Sequence, residues 1–205
     1  MVRGLLILCF FAFFEASASS QISENDDFLS PRERASHLLS RLTFGARPGD
    51  LERLLAMGEE AWFEGQLAAA PDLILGDRLS MYESLGMEAP DLAYTYKPAR
   101  PDDPTPEKLR EYNRLRNLPK RELLSAVFLS DFWGANQLEQ VMVDFWRNHL
   151  NVSFTKGGPA DFLLVDWDRD VIREHALGSF SAMLRASAKR CDRTSPTQHG
   201  FCTIR

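Results

Sequence analysis

Apolar positions recur along this chain at three- and four-residue spacing, and no ladder of strictly alternating positions interrupts them, which predicts helices throughout. The first begins at Ser30 as N-cap, with Pro31 at the first helical position and Glu33 completing a capping box. Ala35, Leu38, Leu39 and Leu42 make its buried face, and Gly45 stops it. A second helix starts around residues 48–50, buries Leu51, Leu54 and Leu55, and ends at Gly58; a third, from about Glu59 to Leu67, carries Trp62 and Phe63. Residues 71–106 are less regular. One helix is expected within residues 73–85. Beyond it Pro90, Pro98, Pro101, Pro104 and Pro106 exclude long helices, and Tyr94 with Tyr96 gives at most a brief extended run. This stretch reads as a Pro-rich surface excursion.

Pro106 then opens a charged helix to about Asn117, and Pro119 opens another that is expected to bury Leu123, Leu124, Val127 and Phe128. The densest mixture of large apolar side chains with reactive groups follows at residues 141–152. Leu138, Val141, Met142, Phe145, Trp146 and His149 form one apolar stripe on a helix with Asn136 as N-cap, Glu139 as its capping-box partner, and an end near Leu150. The stripe predicts a buried His149, with Asp144 and Asn148 together on its flank. After Gly157, Gly158 and Pro159, residues 162–167 are an apolar patch. Asp168 is then expected to cap a helix carrying Val171, Ile172 and His175, and a last helix uses Phe180, Met183 and Leu184. The fold class is all-α, an irregular multi-helix bundle over residues 30–188. Residues 19–29 are expected to be a flexible lead-in and residues 189–205 an unstructured tail.

Length and charge narrow the classes further. The 205 residues suffice for one sizeable core, and a net charge of −5 without a long basic run disfavours nucleic acid as a partner. Arg3, the apolar run of residues 5–14 and the small-x-small Ala16-Ser17-Ala18 have the order of an export leader cleaved after Ala18. The apolar run is too short to cross a hydrocarbon layer of about 30 Å, so no transmembrane anchor is expected after cleavage. Export places the protein in the periplasm or outside the cell, with another exported protein as its expected partner. Of the three cysteines, Cys9 leaves with the leader, and Cys191 and Cys202 are candidates for a disulfide in an oxidising compartment.

Candidate chemistry is sparse. Asp144, His149, Asp170 and His175 are the acid–base candidates of a hydrolase reading, because an imidazole titrating near neutrality suits proton transfer. Against it stand two packed histidines and no nucleophile. Asp166, Asp168 and Asp170 alternate as in the opening of a calcium loop, but Val171 and Leu177 occupy the positions where that loop needs glycine and glutamate. Asp144, Asp166 and Asp168 remain weak candidates for a divalent metal. The alternative is electrostatic, with Asp168 and Asp170 in a first helical turn and Asp170 paired to Arg173. Asn151-Val152-Ser153 matches a glycosylation acceptor. Trp62, Trp133, Trp146 and Trp167 are a sugar-groove set or, more simply, core rings.

Four motifs occur in order: Arg41-Leu42-Thr43-Phe44-Gly45 with Pro48-Gly49-Asp50; Ala61-Trp62-Phe63 with Gln66-Leu67; residues 141–149, Val-Met-Val-Asp-Phe-Trp-Arg-Asn-His; and residues 168–173, Asp-Arg-Asp-Val-Ile-Arg, with His175-Ala176-Leu177-Gly178. Together they resemble the exported bacterial family catalogued as domain of unknown function 1800, over residues 35–188. The resemblance implies a largely helical exported protein and brings no catalytic residue or cofactor with it. Members of that family look much longer, and their pattern runs on into apolar sequence where this chain has Arg190-Cys191-Asp192-Arg193-Thr194-Ser195. The chain therefore reads as a truncated or frame-shifted copy after about Lys189.

Overall fold

The computed structural model describes residues 29–68, 71–150 and 160–192, and those residues form helices and turns with no strand among them. Helices α1 (Pro31–Leu42), α2 (Asp50–Met57) and α3 (Glu59–Leu67) make the first packed unit. The Ser30 hydroxyl accepts from the Glu33 amide while the Glu33 carboxylate accepts from the Ser30 amide at 2.7 Å, so the expected capping box is complete. Gly58, at φ 91°, ends α2 and starts α3, a backbone angle that only glycine adopts at little cost. Ala35, Leu39 and Leu54 are the buried centre, with Leu38, Leu51 and Trp62 packed around them. Leu55 is more exposed than the pattern predicts.

The second unit is larger. It contains α4 (Leu73–Leu79), a 3-10 turn (Glu83–Gly86), α5 (Ala89–Tyr96), α6 (Pro106–Arg116), α7 (Leu118–Trp133), α8 (Gln137–His149), α9 (Ala160–Trp167) with its π-helical continuation (Asp168–Arg173), and α10 (Phe180–Asp192). The single helix expected over residues 73–85 is thus two short pieces. Asp72 caps the first, accepting from the Leu75 amide at 2.9 Å, and Glu122 of α7 holds the second by accepting from the Ser84 amide and hydroxyl.

The surface excursion is corrected in its first half. Residues 89–96 are helical rather than extended, because Pro90 falls in the first turn, where its missing N–H costs nothing. Leu92 on this helix is fully buried in the main core, and α5 packs on α9.

Helix α7 begins with Pro119 in its first turn as expected, yet its inward face is Pro119, Leu123, Ala126 and Ser130. Phe128 is 64% exposed and Leu124 39%, so these two are corrected from core to surface. Gly134 ends the helix at a close approach: a Cβ there would stand 2.5 Å from the Ser130 carbonyl oxygen.

Helix α8 keeps Leu138, Met142 and Trp146 of its expected stripe against the core but turns Phe145 and His149 out. It buries Gln137, Leu138, Gln140 and Val143, while Phe145 is half-exposed and His149 exposed. The face that docks runs 140, 143, 147, 150, and its partners are ionic as well as apolar. The Asn136–Glu139 capping box is absent too: Asn136 is the N-cap residue without a side-chain cap bond, and the Leu138 amide donates instead to Gln66 of α3 at 3.2 Å. The end at His149, with Leu150 as C-cap, agrees with the sequence.

Asp168 caps nothing, since α9 runs into it without a break. Here the helix widens to a π turn, whose i to i+5 closure brings residues five apart together. Helix α10 buries Met183 fully, while Phe180 stacks on Trp146 at 5.5 Å between centroids and stays half-exposed. The helix continues to Asp192 instead of stopping at Ala188. The leader, residues 19–28, the glycosylation triplet, the Gly157-Gly158-Pro159 loop and the chain beyond Asp192, Cys202 included, lie outside the described residues.

Candidate functional site

The interior of the second unit contains charge. Asp168 is 5% exposed, and each of its carboxylate oxygens accepts from a different guanidinium: Oδ1 from Arg147 Nε of α8, Oδ2 from Arg173 Nε at 3.0 Å. The π turn explains the second contact, since Arg173 follows Asp168 by five residues. Arg173 Nη1 also donates to Gln140 Oε1 at 2.9 Å. Burial pushes the Asp168 carboxyl up, but the Arg147 hydrogen bond and the charges of both arginines outweigh it and hold the group below its ordinary value.

This cluster is incompletely satisfied. Arg147 Nη1 and Nη2, Asp131 Oδ1 and Ser130 Oγ are buried with no hydrogen-bond partner among the described residues. Desolvation raises the Asp131 carboxyl to about 6; the Arg147 and Arg173 charges oppose the shift, and Asp144 and Asp168 reinforce it. Beside the cluster lies a cavity of about 470 Å³, whose walls include Leu75, Leu79, Leu85, Leu123 and Val165 and whose polar lining includes Ser130, Asp168 and Arg173.

A second ionic group closes the outer side of α9. Asp166 accepts from the Ala89 amide at 3.0 Å and from Arg190 Nη1 at 3.0 Å; Asp170 pairs with Arg169 at 2.7 Å and with Arg190. Arg169 Nη1 further donates to the Leu85 and Met87 carbonyls, tying the loop before α5 to this helix. Oxygens of Glu88, Asp166 and Asp170 lie within 4.8 Å of one another, the spacing of a cation site. Arg169 and Arg190 already occupy them, each pairing with all three carboxylates.

The sequence candidates are therefore distributed. Asp166 and Asp168 belong to different ionic groups on opposite sides of one helix, and Asp144 holds Asn148, which donates to its carboxylate at 3.2 Å. Asp170 pairs with Arg169 and Arg190, which corrects the expected pairing with Arg173. His175 is half-buried, with Nδ1 3.0 Å from the Val171 carbonyl oxygen in its own helix. His149 is corrected from core to surface, stacked on Phe145 at 5.8 Å. The tryptophans separate as well. Trp146 donates to the Ala176 carbonyl at 3.0 Å and Trp167 is buried, whereas Trp62 and Trp133 both line a cavity of about 390 Å³ between the two units.

Arg147 is what the sequence reading missed, and Arg173 pairs with Asp168 rather than with the expected Asp170. The available signal was a basic residue in line with Val143 and Leu150, at positions i, i+4 and i+7 of a helix, where an apolar residue is the norm.

Fold and site together define an all-α protein whose central helices meet through buried arginine–aspartate pairs. The model of the family described as "Protein of unknown function (DUF1800)" matches residues 37–191, and the chain belongs to that family. No curated protein and no solved structure matches it. The motif residues Asp144, Arg147, Asp168 and Arg173, far apart in the sequence, gather around the interior cluster.

Proposed function

We propose that this chain is a non-enzymatic binding module of a bacterial cell envelope, exported through its N-terminal leader, and that it works with another exported protein. One observation carries this reading. Along α7, Leu124, Phe128 and Phe132 succeed one another at four-residue spacing on the face opposite the core, and Phe128 and Phe132 are 64% and 67% exposed. A row of large apolar side chains on a regular helix is the form of surface that partner helices cover. The leader-like residues 3–18 support export.

The hydrolase rival has less support. It asks Asp144, His149, Asp170 and His175 to converge, yet each is engaged with different neighbours, and the nearest carboxylate cluster is already paired with two arginines.

A photo-crosslinking residue placed at 128 or 132 tests the docking reading in exported material. The expected result is a discrete heavier adduct from both positions and none from exposed position 107 on α6. Equal labelling at all three would contradict it. Mass spectrometry of the same material is expected to show Ser19 as the first residue; an intact Met1 would contradict export by leader cleavage.

A further inference from the structure

We propose that the cavity beside the interior cluster is a binding site for a small organic anion with an apolar body and one carboxylate. This site is separate from the exposed face of α7 and does not depend on it.

The walls supply the apolar half. Leu75 and Leu79 of α4, Leu85 of the 3-10 turn, Leu123 of α7 and Val165 of α9 surround about 470 Å³, room for a short aliphatic chain or a single ring. The floor supplies the anion half. Two guanidinium groups, Arg147 and Arg173, face a single carboxylate, Asp168, both of whose oxygens are already taken. The trio alone carries one positive charge in excess, which the Asp131 carboxyl beside it balances once ionised, and it is left with free donors. Arg173 uses Nε and Nη1 on Asp168 and Gln140, and its Nη2 has no protein acceptor among the described residues. Ser130, fully buried and part of the cavity lining, has a hydroxyl with no partner there. A carboxylate entering along the apolar walls would accept from Arg173 Nη2 and from the Ser130 hydroxyl, two donors without a partner among the described residues. Arg169, also in the lining, does not compete for it. Its donors are committed to Asp170, Glu88, Asp166 and the Leu85 and Met87 carbonyls. Glu83 stands at the exposed rim, where water screens it.

The apolar requirement excludes acetate-sized anions as tight ligands, because they leave the walls wet. The charge requirement excludes neutral analogues of the same shape, because burying the Arg173 donor against an alcohol forgoes a charge-assisted bond.

Calorimetric titration of the full chain with octanoate, octanol and acetate tests this. Octanoate is expected to bind saturably, octanol about tenfold or more weaker, and acetate without saturation. Arg173→Gln is expected to weaken octanoate about tenfold while leaving octanol unchanged, with folding followed by circular dichroism. If this variant fails to fold, Leu79→Trp, which fills the cavity from a wall residue outside the ionic cluster, is expected to abolish octanoate binding in a folded protein. Equal affinity for octanoate and octanol, octanoate binding that survives Leu79→Trp, or no saturable octanoate binding would each overturn the proposal.

Discussion

The two packed units of this chain hold together in opposite ways. The first, α1 to α3, is a small apolar cluster whose helices are stopped and started by local devices: the Ser30–Glu33 box, Pro31, and Gly58 with its positive φ. Its cross-helix ion pair, Arg34 to Glu59 at 3.0 Å, is about one-third exposed on each side and contributes little. The second unit places buried charge beside its apolar core and leaves several aromatic rings outside. Asp168 with Arg147 and Arg173 sits between α8 and α9, while Phe128, Phe132 and Phe145 face solvent. Helix orientation in the first unit follows from amphipathic periodicity. In the second it follows from which charges must be paired once they are buried.

Breaking each unit at its own device should show the difference. Asp168→Asn removes the carboxylate from two buried guanidinium groups and is expected to cost about 3–5 kcal/mol in urea unfolding, since an unpaired buried charge is far worse than a missing pair. Ser30→Ala removes only the cap of α1 and is expected to cost about 1 kcal/mol by the same measurement. A larger loss at Ser30 than at Asp168 would invert the comparison.

The units should also differ in their response to pH. The folded Asp131 carboxyl, raised to about 6, titrates above its unfolded value near 4, so the folded state binds the extra proton between them. Stability contributed by this group is present below about pH 4 and is lost as pH rises to 6. Asp166, also raised by burial, acts in the same direction, while Asp168, held low, opposes acid and loses its contribution only below the ordinary carboxylate range. Stability is therefore expected to fall as pH rises from 4 to 6, with a smaller slope in Asp131→Asn; an unchanged slope would place that proton elsewhere.

The same contrast decides how much was legible in the sequence. Helices α1, α2, α3, α6 and α7 start where Ser30, residues 48–50, Glu59, Pro106 and Pro119 say they should, because caps and prolines act within four residues. What the sequence reading lost depends on distant partners. Leu138 takes its cap from Gln66, seventy-two positions away, so Asn136 and Glu139 misled. The stripe through Phe145 and His149 is the more apolar face of α8, yet Arg147 faces in because Asp168 waits across the interface, and Arg173 ties Asp168 back to Gln140 of α8. The π turn hid the link between Asp168 and Arg173, since a 3.6-residue period does not align residues five apart. Of the site, the motif carried the residues but not their arrangement.

The central claim is that α8 docks through the face carrying Arg147 and leaves Phe145 and His149 at the surface. Side-by-side urea unfolding of Arg147→Ala and Phe145→Ala tests it most directly. Arg147→Ala is expected to cost about 3–5 kcal/mol, because Asp168 then loses one of its two buried partners, and Phe145→Ala under about 1 kcal/mol, because its ring is half-exposed against His149. A Phe145→Ala loss equal to or larger than that of Arg147→Ala would mean that the aromatic stripe, and not the arginine, is what α8 buries.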